Sequence, residues 1–280
     1  MKPILAIIVL YRMSLRDSPT YRTLHDIFMK DPSAAGLIDL VVADNSPEAQ
    51  VVSSDFEGRY VHDGENPGLA KRYNDALAFA TAEGSRWLLT LDQDTTLTEE
   101  YLRELLELAD RLADEGRIAV ITPKLVAKGR IFSPHAPTFQ GARYKVGWDS
   151  VGVVGENVRA YNSASLVRVQ ALHAIGGYPM QYWLDFLDHA TFTALQRAGG
   201  QVYVMRAILE HDASQANPET TSPARAENIL RAEERFYREY GTPKEQFWYK
   251  VDLMRQVIGH GRRGRFAEAK RRWGLLVNKG

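Results

Sequence analysis

The strongest constraint on the fold is an alternation that fills roughly the first 125 residues. Ile4 to Leu10 is an unbroken apolar run, and Asp39 to Ala43 and Trp87 to Leu91 are shorter, nearly continuous ones. Such runs belong to strands covered on both faces, as in a parallel sheet. Between them lie segments with helical spacing. Ser18 to Met29 carries Leu24, Ile27 and Phe28, and Gly68 to Thr81 carries Leu69, Tyr73, Ala76, Leu77 and Ala80. Leu97 to Ala113 is expected to form another helix, and Ile118 to Ile121 another strand before Pro123. The alternation predicts an α/β layer: a mainly parallel central sheet flanked by helices.

Residues 124–160 lose this rhythm and read as antiparallel hairpins and loops, as in Arg143 to Gly147. Ser165 to Gly176 reads as a helix stopped by Gly176-Gly177, and Asp185 to Ala198 as another. Gln201 to Met205 follows as a strand, and Asp212 to Arg225, rich in Ser, Thr, Asn and Pro, as a loop. From Ala226 the pattern is helical, with breaks at Gly241-Thr242-Pro243 and at Gly259 to Gly264. The expected organisation is a body over 1–224, with halves 1–123 and 124–224, and a helical extension over 225–280.

Composition narrows the function classes. With 35 basic and 35 acidic side chains the chain has no net field to gather a polyanion, which argues against a nucleic-acid partner. That neutrality is uneven: residues 1–224 hold 21 basic and 28 acidic side chains, and residues 225–280 hold 14 and 7. Zero cysteines exclude thiolate nucleophiles, Cys-ligated zinc and disulfides. Ile4 to Leu10 is followed by Tyr11, Arg12 and Met13 rather than the small residues of a cleavage site, so a buried strand is expected there and not a signal peptide. No run reaches the ~20 apolar residues needed to cross a bilayer, and a cytoplasmic protein is expected.

Asp92-Gln93-Asp94 directly follows the apolar run Trp87 to Leu91. In an extended segment alternate side chains share a face, so both carboxylates would point into the crevice at the strand's carboxyl end. Two carboxylates there repel one another unless a cation joins them, and hard divalent ions prefer oxygen ligands. Mg2+ or Mn2+ bridging a diphosphate is the implied partner; the bland alternative is a turn that caps the next helix. Asp44, in Val41-Val42-Ala43-Asp44-Asn45-Ser46, stands where a carboxylate accepts a hydrogen bond from a base or ribose, or simply closes a turn. In Asn66-Pro67-Gly68-Leu69-Ala70-Lys71-Arg72-Tyr73-Asn74, Gly68 opens a helix whose N–H groups suit phosphate, with Arg72 and Asn74 as further donors.

In order, these elements, together with Asn162-Ser163-Ala164-Ser165-Leu166 and Ile175-Gly176-Gly177-Tyr178, resemble inverting family 2 glycosyltransferases of the GT-A fold over about residues 3–215. Asp-Gln-Asp and Tyr182-Trp183-Leu184-Asp185-Phe186-Leu187-Asp188 resemble the rhamnosyltransferase branch, although Ala190 stands where relatives often carry an acidic residue. The resemblance implies a nucleoside-diphosphate sugar donor, with dTDP or UDP as carrier, and a saccharide or lipid-linked acceptor. It implies Asp188 as general base, Asp185 as an acceptor-binding competitor, and Asp94, Asp92 and His211 around Mn2+ or Mg2+. Tyr11, Asp44, Asn66, Gly68, Arg72 and Asp92 would hold the nucleotide. Ser163, Ser165 and Trp183 would line the sugar or acceptor pocket, with Trp148 and Tyr182 as further stacking candidates.

Two other chemistries use similar residues. Asp92-Gln93-Asp94-Thr95-Thr96 satisfies the Asp-x-Asp-x-Thr pattern of haloacid-dehalogenase-like phosphatases, but that motif normally ends the first strand of its domain. A sugar-nucleotide nucleotidyltransferase wants a glycine-rich loop that Leu10 to Pro19 lacks. In the extension, basic residues beside Trp273 and Leu276 suit the inner face of an anionic membrane; packing on the body or on a second subunit is the competing expectation.

Overall fold

The computed structural model describes residues 2–54, 56–137, 143–155, 157–210 and 223–277. The chain runs β1 (Ile4–Leu10), α1 (Pro19–Lys30), α2 (Pro32–Ala35), β2 (Ile38–Asp44), β3 (Arg59–His62), α3 (Gly68–Ala82), β4 (Trp87–Asp92) and α4 (Glu99–Arg111). It continues through β5 (Ile118–Ala127), β6 (Arg130–Ser133), β7 (His135–Pro137), β8 (Arg143–Lys145), β9 (Gly152–Val153), β10 (Ser165–Arg168), α5 (Val169–Ala174), α6 (Leu187–Arg197) and β11 (Gln201–Glu210). It ends with α7 (Pro223–Tyr240), α8 (Pro243–Arg262) and α9 (Phe266–Val277). The chain divides into two compact units, 1–136 with 145–213 and 137–144 with 214–280.

The first unit holds a sheet in the order β3-β2-β1-β4-β10-β5-β11-β9, with β6 beside β5. β1 lies parallel between β2 and β4, and all seven of its residues are buried, as its unbroken apolar run requires. β10 enters antiparallel between β4 and β5. The helix expected from Ser165 therefore begins only at Val169. Leu166, Val169 and Leu172 keep helical spacing across the junction, and a four-residue strand buried throughout shows no alternation to betray it.

β5 continues past Pro123, where a stop was expected. β10 pairs only with Val120 and Ile121, and β11 shifts register between Val204 and Ile208, opposite Thr122 and Lys124. Pro123 sits where the ladder is already broken, so its missing N–H costs nothing.

Side chains satisfy backbone groups of that irregularity in β11. Lys124, 1% exposed, donates from Nζ to the Met205 carbonyl at 2.7 Å. Glu104 on α4 accepts the N–H groups of Arg206 and Ala207, each at 2.8 Å. Backbone groups released by the bulge thus meet one ammonium and one carboxylate.

Arg168 fixes the junction of β10, α4 and β5. Its guanidinium donates to the carbonyls of Ile118, Ala113 and Leu112 at 2.8 Å and to that of Glu115 at 3.0 Å, while lying 4.2 Å from the centroid of the Trp87 ring. Carbonyls left open after the last turn of α4 are closed this way.

In the second unit, α8 opens with a capping box in which Thr242 and Glu245 exchange side-chain and backbone hydrogen bonds. Tyr237 of α7 stacks on Tyr249 of α8 with centroids 4.5 Å apart, and Arg272 of α9 donates to Gln256 of α8 at 2.6 Å. Among the described residues, no helix is long and apolar enough to cross a membrane.

Glu104→Ala should lower stability by about 1–2 kcal/mol, because two strand N–H groups lose a charged acceptor together. Urea denaturation is the check; an unchanged midpoint would mean that water serves the bulge equally well.

Candidate active site

The parallel register sets the site's first two carboxylates. Leu10 pairs with Asp44 and Val9 with Asp92, so the two acids flank the carboxyl end of β1, where open α/β sheets bind ligands. Tyr11 follows at once, and its backbone N–H donates to Gln93 Oε1 at 2.8 Å. The middle residue of Asp92-Gln93-Asp94 thereby ties the ends of β1 and β4. Strand geometry stops at Asp92, and Gln93 and Asp94 lie in a turn, so the alternation expected to carry both carboxylates onto one face does not extend to Asp94. All three side chains are half-buried. Because the motif ends the fourth strand, the phosphatase reading loses its structural requirement.

Asp44 is fully buried and engaged by the protein. Ser46 N–H donates to Oδ1 at 2.9 Å, and Gln50 Nε2 and the Tyr60 hydroxyl each donate to Oδ2 at 2.7 Å. Burial pushes this carboxyl up, and the hydrogen bonds from Ser46, Tyr60 and Gln50 more than reverse it, holding the group below its ordinary value. Gln50 also accepts the Leu15 N–H at 2.7 Å and donates to the Met13 carbonyl at 3.0 Å, so Asp44 shapes the loops after β1 and β2.

The segment Asn66 to Asn74 is used differently from the expectation. Asn66 has φ +49° and Gly68 φ +85°. A Cβ on Gly68 would lie 2.4 Å from the Trp183 indole, and Leu69 N–H donates to the Trp183 carbonyl at 2.9 Å. One N–H of the first turn of α3, that of Leu69, is thus taken by the Trp183 carbonyl. Asn74, expected to add a donor, pairs instead with the backbone of Tyr178 at 2.8 and 2.9 Å. Arg72 is 6% exposed and donates from Nε to Asn45 Oδ1 at 2.6 Å, tying α3 to the end of β2.

From β10 the chain brings Asn162 over the end of β4, where Thr90 Oγ1 donates to the Asn162 carbonyl at 2.6 Å. Asn162 Nδ2 in turn donates to Asp188 Oδ1 at 3.3 Å. Ser163 and Ser165, expected in a sugar pocket, are interior residues at 1% and 0% exposure. Ser163 bonds Thr95 at 2.6 Å, and Ser165 bonds Thr122 and the Tyr161 carbonyl, each at 2.9 Å. Tyr182, a stacking candidate, is likewise core at 1%, whereas Trp183 and Trp148 are exposed.

Asp188 lies in the first turn of α6, and Asp185 does not share its helix. Phe186, at φ +62°, is a left-handed N-cap separating the two, so the helix expected from Asp185 begins only at Leu187. Burial, the nearby charge of Asp92 and, more weakly, that of Asp185 push the Asp188 carboxyl up to about 7. Asp92 and Asp188 therefore feel one another's charge.

Sequence reasoning missed several supports. His189 sits within ring contact of Phe186, His135 and Tyr161 at 5.1, 5.4 and 5.9 Å between centroids, fixing the start of α6. Tyr73 and Tyr178 are fully buried and pack with centroids 5.1 Å apart; neither hydroxyl has a hydrogen-bond partner among the described residues. Apolar periodicity marked Tyr73 as core, and no local signal distinguishes it from phenylalanine.

Asp92 and Asp94 have the hard oxygen chemistry that Mg2+ or Mn2+ prefers, and a divalent cation would relieve the repulsion between Asp92 and Asp188. Among the described residues, no three His, Cys, Asp or Glu side chains are grouped for a metal. His211, the expected third ligand, lies outside the described residues.

The family model for glycosyl transferase family 2 matches residues 14–166. Among solved structures, S. aureus TarS 1–349 is similar at 14% identity with a TM-score of 0.52, over 98% of this chain and 91% of that one. The same protein in complex with UDP-GlcNAc gives 13% and 0.50, over 98% and 91%. The mannosyltransferase PcManGT from Pyrobaculum calidifontis, in complex with GDP-Man and Mn2+, gives 14% and 0.52, over 99% and 88%. These likenesses show a shared GT-A fold. No curated protein matches the chain.

The raised Asp188 value makes stability fall with pH. The carboxyl titrates near 3.8 when unfolded and near 7 when folded, so its contribution is full below 3.8 and is lost as pH rises through 7. In metal-free buffer, Asp188→Asn should melt above the parent at pH 8, with the gap closing towards pH 4; a pH-independent difference would refute the raised carboxyl.

Proposed function

The chain belongs to glycosyl transferase family 2, and from that premise we propose that it moves a sugar, with inversion, from a nucleoside-diphosphate donor to a hydroxyl of a saccharide or lipid-linked saccharide. The observation that carries this reading is the pairing of Asp92 and Asp188 at the carboxyl end of the sheet, with Asp188 poised near neutrality. A base whose pKa lies near working pH serves proton transfer best.

The acceptor hydroxyl gives its proton to the Asp188 carboxylate as its oxygen bonds the anomeric carbon. On the opposite face the bond from that carbon to the phosphate oxygen breaks, and its electron pair leaves with the diphosphate. Asn162, hydrogen-bonded to Asp188 Oδ1, orients the base. Asp94 and Asp92 would hold Mn2+ or Mg2+, with His211 as a further ligand; the ion, when bound, neutralises charge on the leaving diphosphate. Exposed Tyr11, at the end of β1, would border the nucleotide, with Asp44 shaping the loops behind it, and exposed Trp183 offers a sugar-stacking face. The same-fold structures solved with UDP-GlcNAc and GDP-Man support a nucleoside-diphosphate sugar as donor. Rhamnose is the favoured sugar, on the resemblance carried by Asp92-Gln93-Asp94 and residues 182–188, and cell-surface polysaccharide synthesis the favoured setting.

Incubation with a panel of dTDP- and UDP-sugars, Mn2+ and saccharide acceptors should release nucleoside diphosphate, fastest with a rhamnosyl donor. Asp188→Asn should cut transfer by about 10²–10⁴-fold while donor affinity stays within about threefold, as expected for a lost general base; undiminished turnover would sink the assignment. Separately, Asp94→Ala should weaken Mn2+-dependent donor binding by at least about tenfold in calorimetry, and equal binding with and without Mn2+ in the parent would dismiss the metal.

A further inference from the structure

The two last helices carry matching exposed stripes. On α8, Phe247, Met254 and Ile258 are 60, 41 and 48% exposed; on α9, Phe266, Trp273 and Val277 are 72, 47 and 54% exposed. Both triplets follow the spacing i, i+7, i+11, which at about 100° per residue confines each to an arc of roughly 40°. These are not the faces that hold the unit together. Leu253, 1% exposed, and Tyr249, stacked on Tyr237, lie on the other side of α8, and Arg272 faces α8 from α9.

Cations flank the stripes. Lys250, Arg255, Arg262, Arg263, Arg265 and Lys270 are exposed, and none has an ion-pair partner among the described residues. Asp252 and Glu268 are the sole acids from Phe247 to Val277. Asp252 is turned about 140° from Phe247 on the helical wheel and accepts from Gln256 at 2.7 Å. A row of apolar side chains between cations matches a surface whose interior is hydrocarbon and whose headgroups are anionic.

We propose that the exposed face of α8 and α9 docks on an anionic lipid surface, with Phe247, Phe266 and Trp273 entering the headgroup layer and the arginines meeting lipid phosphates. A second copy of this chain fits less well, because a symmetric pairing of the face would set six cations against six. Nucleic acid would use the cations but leave the aliphatic members of both stripes without a role. The inference stands apart from glycosyl transfer, since its readout is binding and not turnover.

The test is co-sedimentation of the full chain with vesicles of phosphatidylcholine alone or with about 30% phosphatidylglycerol. The parent should bind the anionic vesicles at least about tenfold better than the neutral ones, and lose that binding at high salt. The double variant Phe266→Ser with Trp273→Ser, and separately Arg262→Gln with Arg263→Gln, should each reduce partitioning by about tenfold or more with unchanged melting temperatures. Absence of binding to anionic vesicles would overturn the proposal. So would serine variants that bind as well as the parent, which would mark a general polyanion patch, or serine variants that dissociate a dimer formed by the parent in sedimentation velocity.

Discussion

The Arg168 guanidinium is the constraint on which the catalytic unit's architecture rests. A buried cation is tolerated only where its donors are satisfied, and here four carbonyls and the face of Trp87 receive it. A lysine has neither the fork nor the plane to do this. What the clamp holds is β10, the antiparallel strand that joins β4 to β5 and makes one sheet of two halves. Because β10 runs against β4, the residues preceding it, Asn162 and Ser163, arrive over the carboxyl end of the sheet. A parallel strand there would have delivered them to the opposite end.

The site shows how environment divides one residue type into different roles. Asp44 is fully buried and receives three short side-chain and backbone hydrogen bonds, whereas Asp188 is half-buried beside a second carboxylate and its hydrogen bonds, among them a long one from Asn162, do not offset the repulsion. Donors win at the first and desolvation with like-charge repulsion at the second, so one stays ionised and the other sits near neutrality. Asp44 thereby serves the loops, and Asp188 is left able to exchange a proton.

Legibility in the sequence followed the range of the interactions. β1, β2 and β4 were readable because burial on both faces writes itself as a continuous apolar run, and Asp92 was readable as the residue that ends one. Family motifs singled out Asp188, although the helix expected to unite it with Asp185 is broken by Phe186 in a left-handed conformation that no local residue preference announces. β10 was hidden because its four residues continue the spacing of the helix behind it. Ser163 and Ser165 looked like pocket hydroxyls; whether a serine faces a cavity or a Thr95 or Thr122 across the sheet depends on partners about 40 to 70 positions away. Glycine at 68 was read as the opening of a helix that suits phosphate; what requires a glycine there is the close approach of the Trp183 indole, 115 positions away.

Asn74 makes an asymmetric demand on the sequence. Its amide reads the N–H and the carbonyl of residue 178, and Gly177 lets it come close: a Cβ there would stand 2.4 Å from Asn74 Oδ1. The contact never consults the side chain at 178. Position 178 is therefore free to drift among residues that fill the same space, whereas aspartate at 74 would set an acceptor against the residue 178 carbonyl, and a side chain at 177 would wedge the two segments apart. Divergence in this region should consequently be uneven: tolerant at the aromatic that fills the core, and strict at the small polar and the glycine that merely touch backbone.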